Sequence, residues 1–349
     1  MIVLPPHRRE LPVALLICLL ATSLRAQSEP KPASEYPSLG IIERLDPRFD
    51  DIVPKDSKVE RVADGFEWAE GPVWFGPSGG SGYLLFSDVE RNTVYKWTPG
   101  TYGSEIFLRP SGYTGSTSRG GEPGSNGLVR DAEGRLVLMQ HGDRRVARLE
   151  NGRFVTLADR FEGKRLNSPN DGIYRSDGGF YFTDPPYGLE KGVDDPAREL
   201  DFQGVYRISK EGTLSLLTKE LSRPNGIAFS PDEKTLYVAN SDPERAVWMA
   251  FDVKGEGTLG AGRVFADVTK WVGKKKGLPD GLKVDRNGNL FATGPGGVLV
   301  FAPDGTHLGS FATGEATANC AWGEDGSTLF ITADMYVGRV RLSTTGPAR

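Results

Sequence analysis

Six times along this chain a polar residue opens a unit that continues with Gly or a small residue, a short apolar stretch, a turn and a second hydrophobic run. The openings are Glu70, Asn126, Asn170, Asn225, Asp280 and Asn319, separated by 56, 44, 55, 55 and 39 residues. A period of roughly 40–55 residues with strand–turn–strand content marks a β-propeller blade. Each unit begins with an oxygen-bearing side chain, a choice from which an ordinary core strand gains nothing.

The units supply four candidate strands each. In the first these are Val73–Phe75, Tyr83–Ser87, Thr93–Trp97 and Glu105–Leu108; in the fifth, Leu282–Val284, Leu290–Thr293, Val298–Phe301 and Leu308–Phe311. Turn chemistry separates them at Asp131–Gly134, Asp177–Gly179, Pro231–Lys234, Asp285–Gly288 and Glu324–Gly326. The last unit lacks a fourth strand after Arg339–Leu342, whereas Lys58–Ala63 reads as a strand without a partner. Joining the two removes two open edges. The reading is an all-β, six-bladed propeller of four-stranded blades around a central channel, occupying residues 57–343, with 344–349 as a tail. A set of β-sandwich domains is the competing architecture, but no linker divides the units.

The dispersed 45 Gly and 24 Pro suit turns in such a fold rather than disorder. With 42 Lys+Arg against 46 Asp+Glu, no basic stripe points to nucleic acid, and the Lys274–Lys276 cluster reads as a solvated loop. At the N-terminus, His7, Arg8 and Arg9 precede the apolar run Leu11–Leu20, with Ala26 offering a small residue for cleavage. Residues 1–26 are therefore expected to be a signal peptide, too short in its apolar run for a stable membrane span. Residues 27–56 are expected to be a loose lead-in, and the location periplasmic or secreted. Cleavage would remove Cys18 and leave Cys320 without an intrachain partner. A monomer is expected.

Blade geometry gathers the six openings at one end of the channel and returns the second strands to the same face. His141, Asp184 and Asn240 should therefore lie near the mouth, and the segments Ser111–Ser125, Pro185–Asp201 and Trp271–Pro279 should rim it. Glu70 and Asp280 bring two carboxylates into a ring of neutral amides, an arrangement that is costly when unpaired. A divalent cation removes that cost, and an all-oxygen shell favours Ca²⁺ over Mg²⁺ or Mn²⁺. No Cys/His spacing supports a zinc cage. Asn-Gly and Asp-Gly are also common turn dipeptides, so only their recurrence at equivalent positions lifts a metal site above a set of turns.

The motifs AEGPVW, NSPNDGIY with YFTDPPYGL, RPNGIAFS and LPDGLKVD, in this order, resemble the senescence marker protein/regucalcin/gluconolactonase family over residues 60–343. HGDRRVAR and DFQGVYRIS are similar to segments of its secreted bacterial gluconolactonases. The resemblance implies a six-bladed propeller with one catalytic divalent metal, usually Ca²⁺; the expected cofactor is therefore Ca²⁺, with Mg²⁺, Mn²⁺ or Zn²⁺ left open. It implies that Glu70, Asn225 and Asp280 are ligands and that Asn170 contacts substrate, a metal-bound water or the metal itself. Some animal lactonases of the family place an Arg where this chain has Ser168, which leaves the sugar specificity open.

The expected activity is hydrolysis of a lactone, most simply a sugar lactone such as glucono-1,5-lactone, with a small-molecule substrate as the only partner. Asp280 would act as ligand and base. His141 is the competing base, or else a turn cap in His-Gly-Asp. Asn126 and Asn319 either bind substrate or cap structure. Asp184 either orients Asn170, binds substrate or initiates a turn. Tyr187 and Tyr113 either wall a sugar pocket or pack loops, and His307 is expected on the surface. Organophosphate or aryl-ester hydrolysis on the same site is the alternative reaction, and a secreted binding propeller the non-enzymatic one.

Overall fold

The computed structural model describes residues 30–32, 35–76 and 81–347. Six antiparallel sheets follow one another around an axis, each meandering outward from its inner strand. Blade 1 is built from Ala69–Phe75, Tyr83–Asp88, Thr93–Trp97 and Glu105–Leu108, and blade 2 from Ser125–Arg130, Leu136–Gln140, Arg145–Glu150 and Arg153–Ala158. Blade 3 uses Gly172–Tyr174, Phe180–Asp184, Gly204–Ile208 and Leu214–Thr218. Blade 4 uses Pro224–Phe229, Thr235–Asp242, Arg245–Val253 and Leu259–Asp267. Blade 5 starts with Leu282–Val284, Leu290–Gly294, Gly297–Phe301 and His307–Ala312. In blade 6, Thr317–Gly323, Thr328–Ala333 and Tyr336–Arg341 take Glu60–Asp64 as their outer strand.

That last pairing closes the ring as expected from the orphan strand. Arg339 faces Glu60 and Val337 faces Ala63 in register, and the Arg339 guanidinium lies 2.9 Å from the Glu60 carboxylate. Closure matters because it pairs the first and last strands of the propeller and leaves neither inner edge open.

Alternating side chains on each strand fill the wedges between blades. Aromatic rings cross those wedges: Tyr181 of blade 3 meets Phe229 of blade 4 edge-on at 4.9 Å, and Trp248 of blade 4 meets Phe301 of blade 5 at 5.4 Å. Phe291 of blade 5 meets Trp322 of blade 6 at 5.0 Å, and Trp74 of blade 1 stacks on Phe330 of blade 6 at 5.6 Å. Each such pair adds about 0.5–1.5 kcal/mol beyond its buried area. These pairs bridge four of the six seams, from blade 3 round to blade 1.

The lead-in differs from expectation. Ile41–Arg44 adds a fifth strand to the outside of blade 5, with Ile42 opposite Phe311. The following one-turn helix, Phe49–Ile52, buries Phe49 completely against Phe311 at 5.9 Å. Its few apolar residues find their partners in blades 5 and 6, far along the chain, so no local pattern announces the docking. The expected signal peptide, residues 1–26, lies outside the described residues. Among the described residues no helix is long and apolar enough to cross a membrane.

At the channel the inner strands lose regular register where the polar openings sit. The pairing shifts between Glu70 and Val73, between Pro224 and Ile227, and between Thr317 and Asn319. Such irregularities re-aim a side chain out of the sheet's alternation. The Gly after the opening residue has a steric cause. A Cβ on Gly71 would lie 2.2 Å from the Asn126 carbonyl oxygen, and one on Gly226 would lie 2.2 Å from that of Asp280. Neighbouring blades meet backbone to backbone there, and no side chain fits between them.

Candidate functional site

A cavity of about 470 Å³ opens at this end of the channel. Asn126, Asn170, Asn225 and Asp280 line it, four of the six opening residues, drawn from consecutive blades 2 to 5. Their state is unusual. The side-chain oxygens Oδ1 of Asn126, Asn170, Asn225 and Asp280 are all sealed from solvent and have no hydrogen-bond partner within the protein. Buried polar atoms are normally satisfied, and each orphan costs on the order of 1–3 kcal/mol. Four on one surface mark a place built to receive something electropositive.

Each is held from behind. The Asn225 amide nitrogen donates to Ser241 Oγ at 2.9 Å, and the Ser241 hydroxyl donates to the Pro279 carbonyl. This fixes which end of the Asn225 amide faces the cavity. The backbone of Asn170 is pinned by its N–H to the Thr183 carbonyl at 2.9 Å, while the Thr183 hydroxyl reaches the Asn225 carbonyl at 2.7 Å. Ser241 lies in none of the motifs quoted above, and Thr183, within YFTDPPYGL, was not singled out from it. Their only sequence signal is a hydroxyl at the channel end of a second strand.

Glu70 is fully buried beside this floor rather than on the cavity wall. Its Oε2 accepts from the Gly71 N–H and from the Asn319 amide at 3.0 Å. Burial, then the nearby Asp171 carboxylate, pushes its pKa up to about 8. Asp280 is likewise raised well above the ordinary carboxylate range by burial, then by Glu70, Asp171 and Glu122. The two expected carboxylates therefore act on each other at one end of the ring.

Asp171, not singled out from the sequence, is a third buried carboxylate. It is raised by burial, and the Lys283 ammonium is the largest opposing influence. Its Oδ1 accepts from Gly172 N–H at 2.8 Å and its Oδ2 faces the Asn319 amide at 3.4 Å. Among the described residues no group of three or more His, Cys, Asp or Glu side chains is arranged to hold a metal ion. The expected donor set contains only two acids, its other members being amides. The unpartnered oxygens and the raised carboxylates suit a hard cation held by oxygen.

Several expected site residues sit elsewhere. Asn319 is occupied by the protein itself: its amide reaches Glu70 and Asp171, and its oxygen accepts from Cys320 N–H at 2.9 Å. It positions Glu70 and does not line the cavity. Asp184 is also spent on structure, with its two oxygens accepting from Asn167 N–H and Ser168 N–H, each at 2.8 Å. It braces the loop that delivers Asn170, and its buried carboxyl is pushed up to about 7. His141 is fully buried behind the cavity wall, with Nδ1 2.8 Å from Glu122 Oε2, so it is not placed to reach a substrate as a base. Glu122 does line the cavity, as do Trp68, Tyr187, Val272 and Leu278. Tyr113 packs in its loop, bonded to Thr117 at 2.8 Å. His307 is half-buried between Trp271 and Phe301 rather than on the surface. Asn240 ties its own blade together through Arg223 N–H and the Arg245 carbonyl.

With this geometry in view, residues 68–334 match the family model described as the SMP-30/gluconolactonase/LRE-like region. The chain is 39% identical over 317 residues to a gluconolactonase of Zymomonas mobilis, covering 88% of each chain. A solved structure of a gluconolactonase from Xanthomonas campestris superposes with a TM-score of 0.74 at 32% identity, covering 91% of this chain and 99% of that one. A putative gluconolactonase of known structure superposes at 0.76 and 30% identity, over 88% and 100% of the respective chains.

Proposed function

The chain belongs to the SMP-30/gluconolactonase/LRE-like family, and from that premise we propose that it opens a lactone ring by hydrolysis on the cavity floor. The leading substrate is a sugar lactone such as glucono-1,5-lactone, and the cofactor is one divalent cation, Ca²⁺ before Mg²⁺, Mn²⁺ or Zn²⁺. The observation that carries this reading is the set of unpartnered oxygens of Asn170, Asn225 and Asp280 on one surface, beside the Glu70 carboxylate. Those four residues would hold the ion. When bound, such an ion supplies Lewis-acid stabilisation of negative charge on the lactone carbonyl oxygen.

The protein's own part follows from placement. Asp280 lines the cavity and takes the proton of the attacking water as the water oxygen adds to the carbonyl carbon. The ring C–O bond then breaks, and the ring oxygen takes that proton from the Asp280 carboxyl to give the open hydroxy acid. Asn225, locked by Ser241, and Asn170, pinned by Thr183, keep their positions without reorganising during the step. Trp68, Tyr187, Val272 and Leu278 form the walls that pack the C–H faces of a ring and keep bulk water off the floor. The basic N-terminus followed by Leu11–Leu20 supports export of this hydrolase to the periplasm or beyond.

A panel of aldonolactones, aryl esters and phosphotriesters, each assayed with and without chelator, tests the reading. Aldonolactone turnover should be lost on chelation and restored by Ca²⁺. Lactone hydrolysis untouched by thorough chelation would remove the cation, and preference for a phosphotriester would remove the lactone.

A further inference from the structure

We propose that Glu122 is a specificity-determining residue that accepts hydrogen bonds from the hydroxyl groups of the lactone, with His141 as its positioning residue. The inference rests on the lactonase reading above and names what makes the substrate a polyol.

Glu122 stands on the segment between blades 1 and 2, and its side chain is 32% exposed at the cavity wall. That segment is tied down on both sides. The Pro123 carbonyl accepts from Tyr113 N–H at 2.7 Å, and Gly124 N–H donates to the Val89 carbonyl at 2.8 Å. Arg119 donates to the Gly142 carbonyl at 2.6 Å and also to the Gly188 carbonyl, clamping three rim loops together. Gly142 is required for the fit, since a Cβ there would lie 2.3 Å from the Pro123 oxygen.

Behind Glu122 the completely buried His141 brings Nδ1 to 2.8 Å from Oε2 without hydrogen-bond alignment, and neither ring nitrogen has a hydrogen-bond partner within the protein. The Nδ1–H tautomer and the imidazolium both set an N–H next to the Glu122 carboxylate, which stays an acceptor toward a ligand. The basic residue on the cavity wall, Lys275, is drawn toward Glu43 at 3.9 Å and lies over the Trp271 ring. On the same segment Asn126 offers Oδ1, also unpartnered, to the same cavity. These acceptors stand beside the apolar surfaces of Trp68, Pro243, Val272 and Leu278 and near the hydroxyls of Tyr187 and Thr317, and they call for donors on the ligand. A polyhydroxylated lactone supplies them and an alkyl lactone does not. A site built to bond a substrate hydroxyl discriminates strongly against the analogue lacking it.

The test compares glucono-1,5-lactone with δ-valerolactone, which has the same ring without hydroxyls, on the wild type, Glu122→Gln and His141→Phe. Loss of a charged acceptor should lower kcat/KM for gluconolactone by about 10-fold or more, mainly through KM. The ratio of gluconolactone to valerolactone kcat/KM should fall by about the same factor. His141→Phe should shift that ratio in the same direction, His141→Gln should restore part of it, and the double variant should lose less than the product of the single losses. Thermal melting and Ca²⁺ titration of each variant verify that fold and cation site are intact. Equal losses on both lactones, or no loss on either, would overturn the assignment. A wild type that turns over neither lactone would instead overturn the lactonase reading on which it rests.

Discussion

The cavity floor and the layer beside it are made from the same repeated positions, yet their polar groups are in opposite states. At the cavity Asn126, Asn170, Asn225 and Asp280 keep side-chain oxygens without partners. In the neighbouring layer Asn319 links Glu70, Asp171 and the Cys320 N–H, and Lys283 reaches the Asn319 oxygen at 3.4 Å and the Leu282 carbonyl at 3.0 Å. One layer is a hydrogen-bonded network that fixes geometry and holds Glu70 where it would meet the ion from beside the floor. The other carries an unpaid desolvation cost that only a ligand can offset. Equivalent positions in a repeat thus diverge into scaffold and site, and the side chains alone do not reveal which is which.

The sharpest way to break this contrast is Asp280→Asn, which keeps an oxygen at the floor but removes its charge. Lactone turnover should fall at least about 100-fold, the lower end for loss of a general base, with the melting temperature retained. Glu70→Gln should mainly weaken cation affinity and be rescued by excess Ca²⁺ better than Asp280→Asn is. Equal rescue of both to near wild-type rates would reduce Asp280 to a ligand.

Ser241→Ala removes the acceptor that orients the Asn225 amide. Titration calorimetry should show cation affinity weaker by about 10- to 100-fold, the usual range for a group that orients a ligand. Unchanged affinity would mean that Asn225 does not depend on its anchor.

Asn319→Ala strikes the hydrogen-bonded layer instead. It leaves Glu70 and Asp171 short of a donor, which should cost about 1–3 kcal/mol in chemical denaturation. With cation saturating, kcat should change far less than in Asp280→Asn. A loss of kcat matching that of Asp280→Asn would erase the distinction between the two layers.

The mildest test is the pH slope of stability. Glu70 is raised from 4.5 to about 8 in the fold, and Asp280 and Asp171 are raised in the same direction. A carboxyl whose folded pKa exceeds its unfolded value binds protons preferentially in the native state. Its contribution is full below the ordinary carboxylate range and is lost as pH rises toward about 8. Melting of chelated protein should therefore show a falling contribution between about pH 5 and about pH 8, which saturating Ca²⁺ flattens. Parallel curves with and without Ca²⁺ would sever the carboxylates from the cation.

Blade number, ring closure and the channel-end position of Glu70, Asn170, Asn225 and Asp280 were legible in the chain, because a repeat writes the same local physics six times. Strand alternation and turn residues are short-range requirements, and the Gly that lets neighbouring blades touch at Gly71 and Gly226 recurs with the repeat. The docking of Ile41–Arg44 on blade 5 was not legible, since its partner lies far away in sequence and its own pattern is too short. Nor was the division of labour among ring residues. Whether Asn126 faces a cavity or Asn319 bridges two carboxylates depends on what the neighbouring blades place against each amide. The same holds for His141, whose imidazole looked like a base until packing set Glu122 between it and the cavity. Sequence determined the repeat and its oxygen-bearing ring; only the tertiary structure decided which of those oxygens are left without a partner, because satisfaction of a buried polar atom is a property of its neighbours.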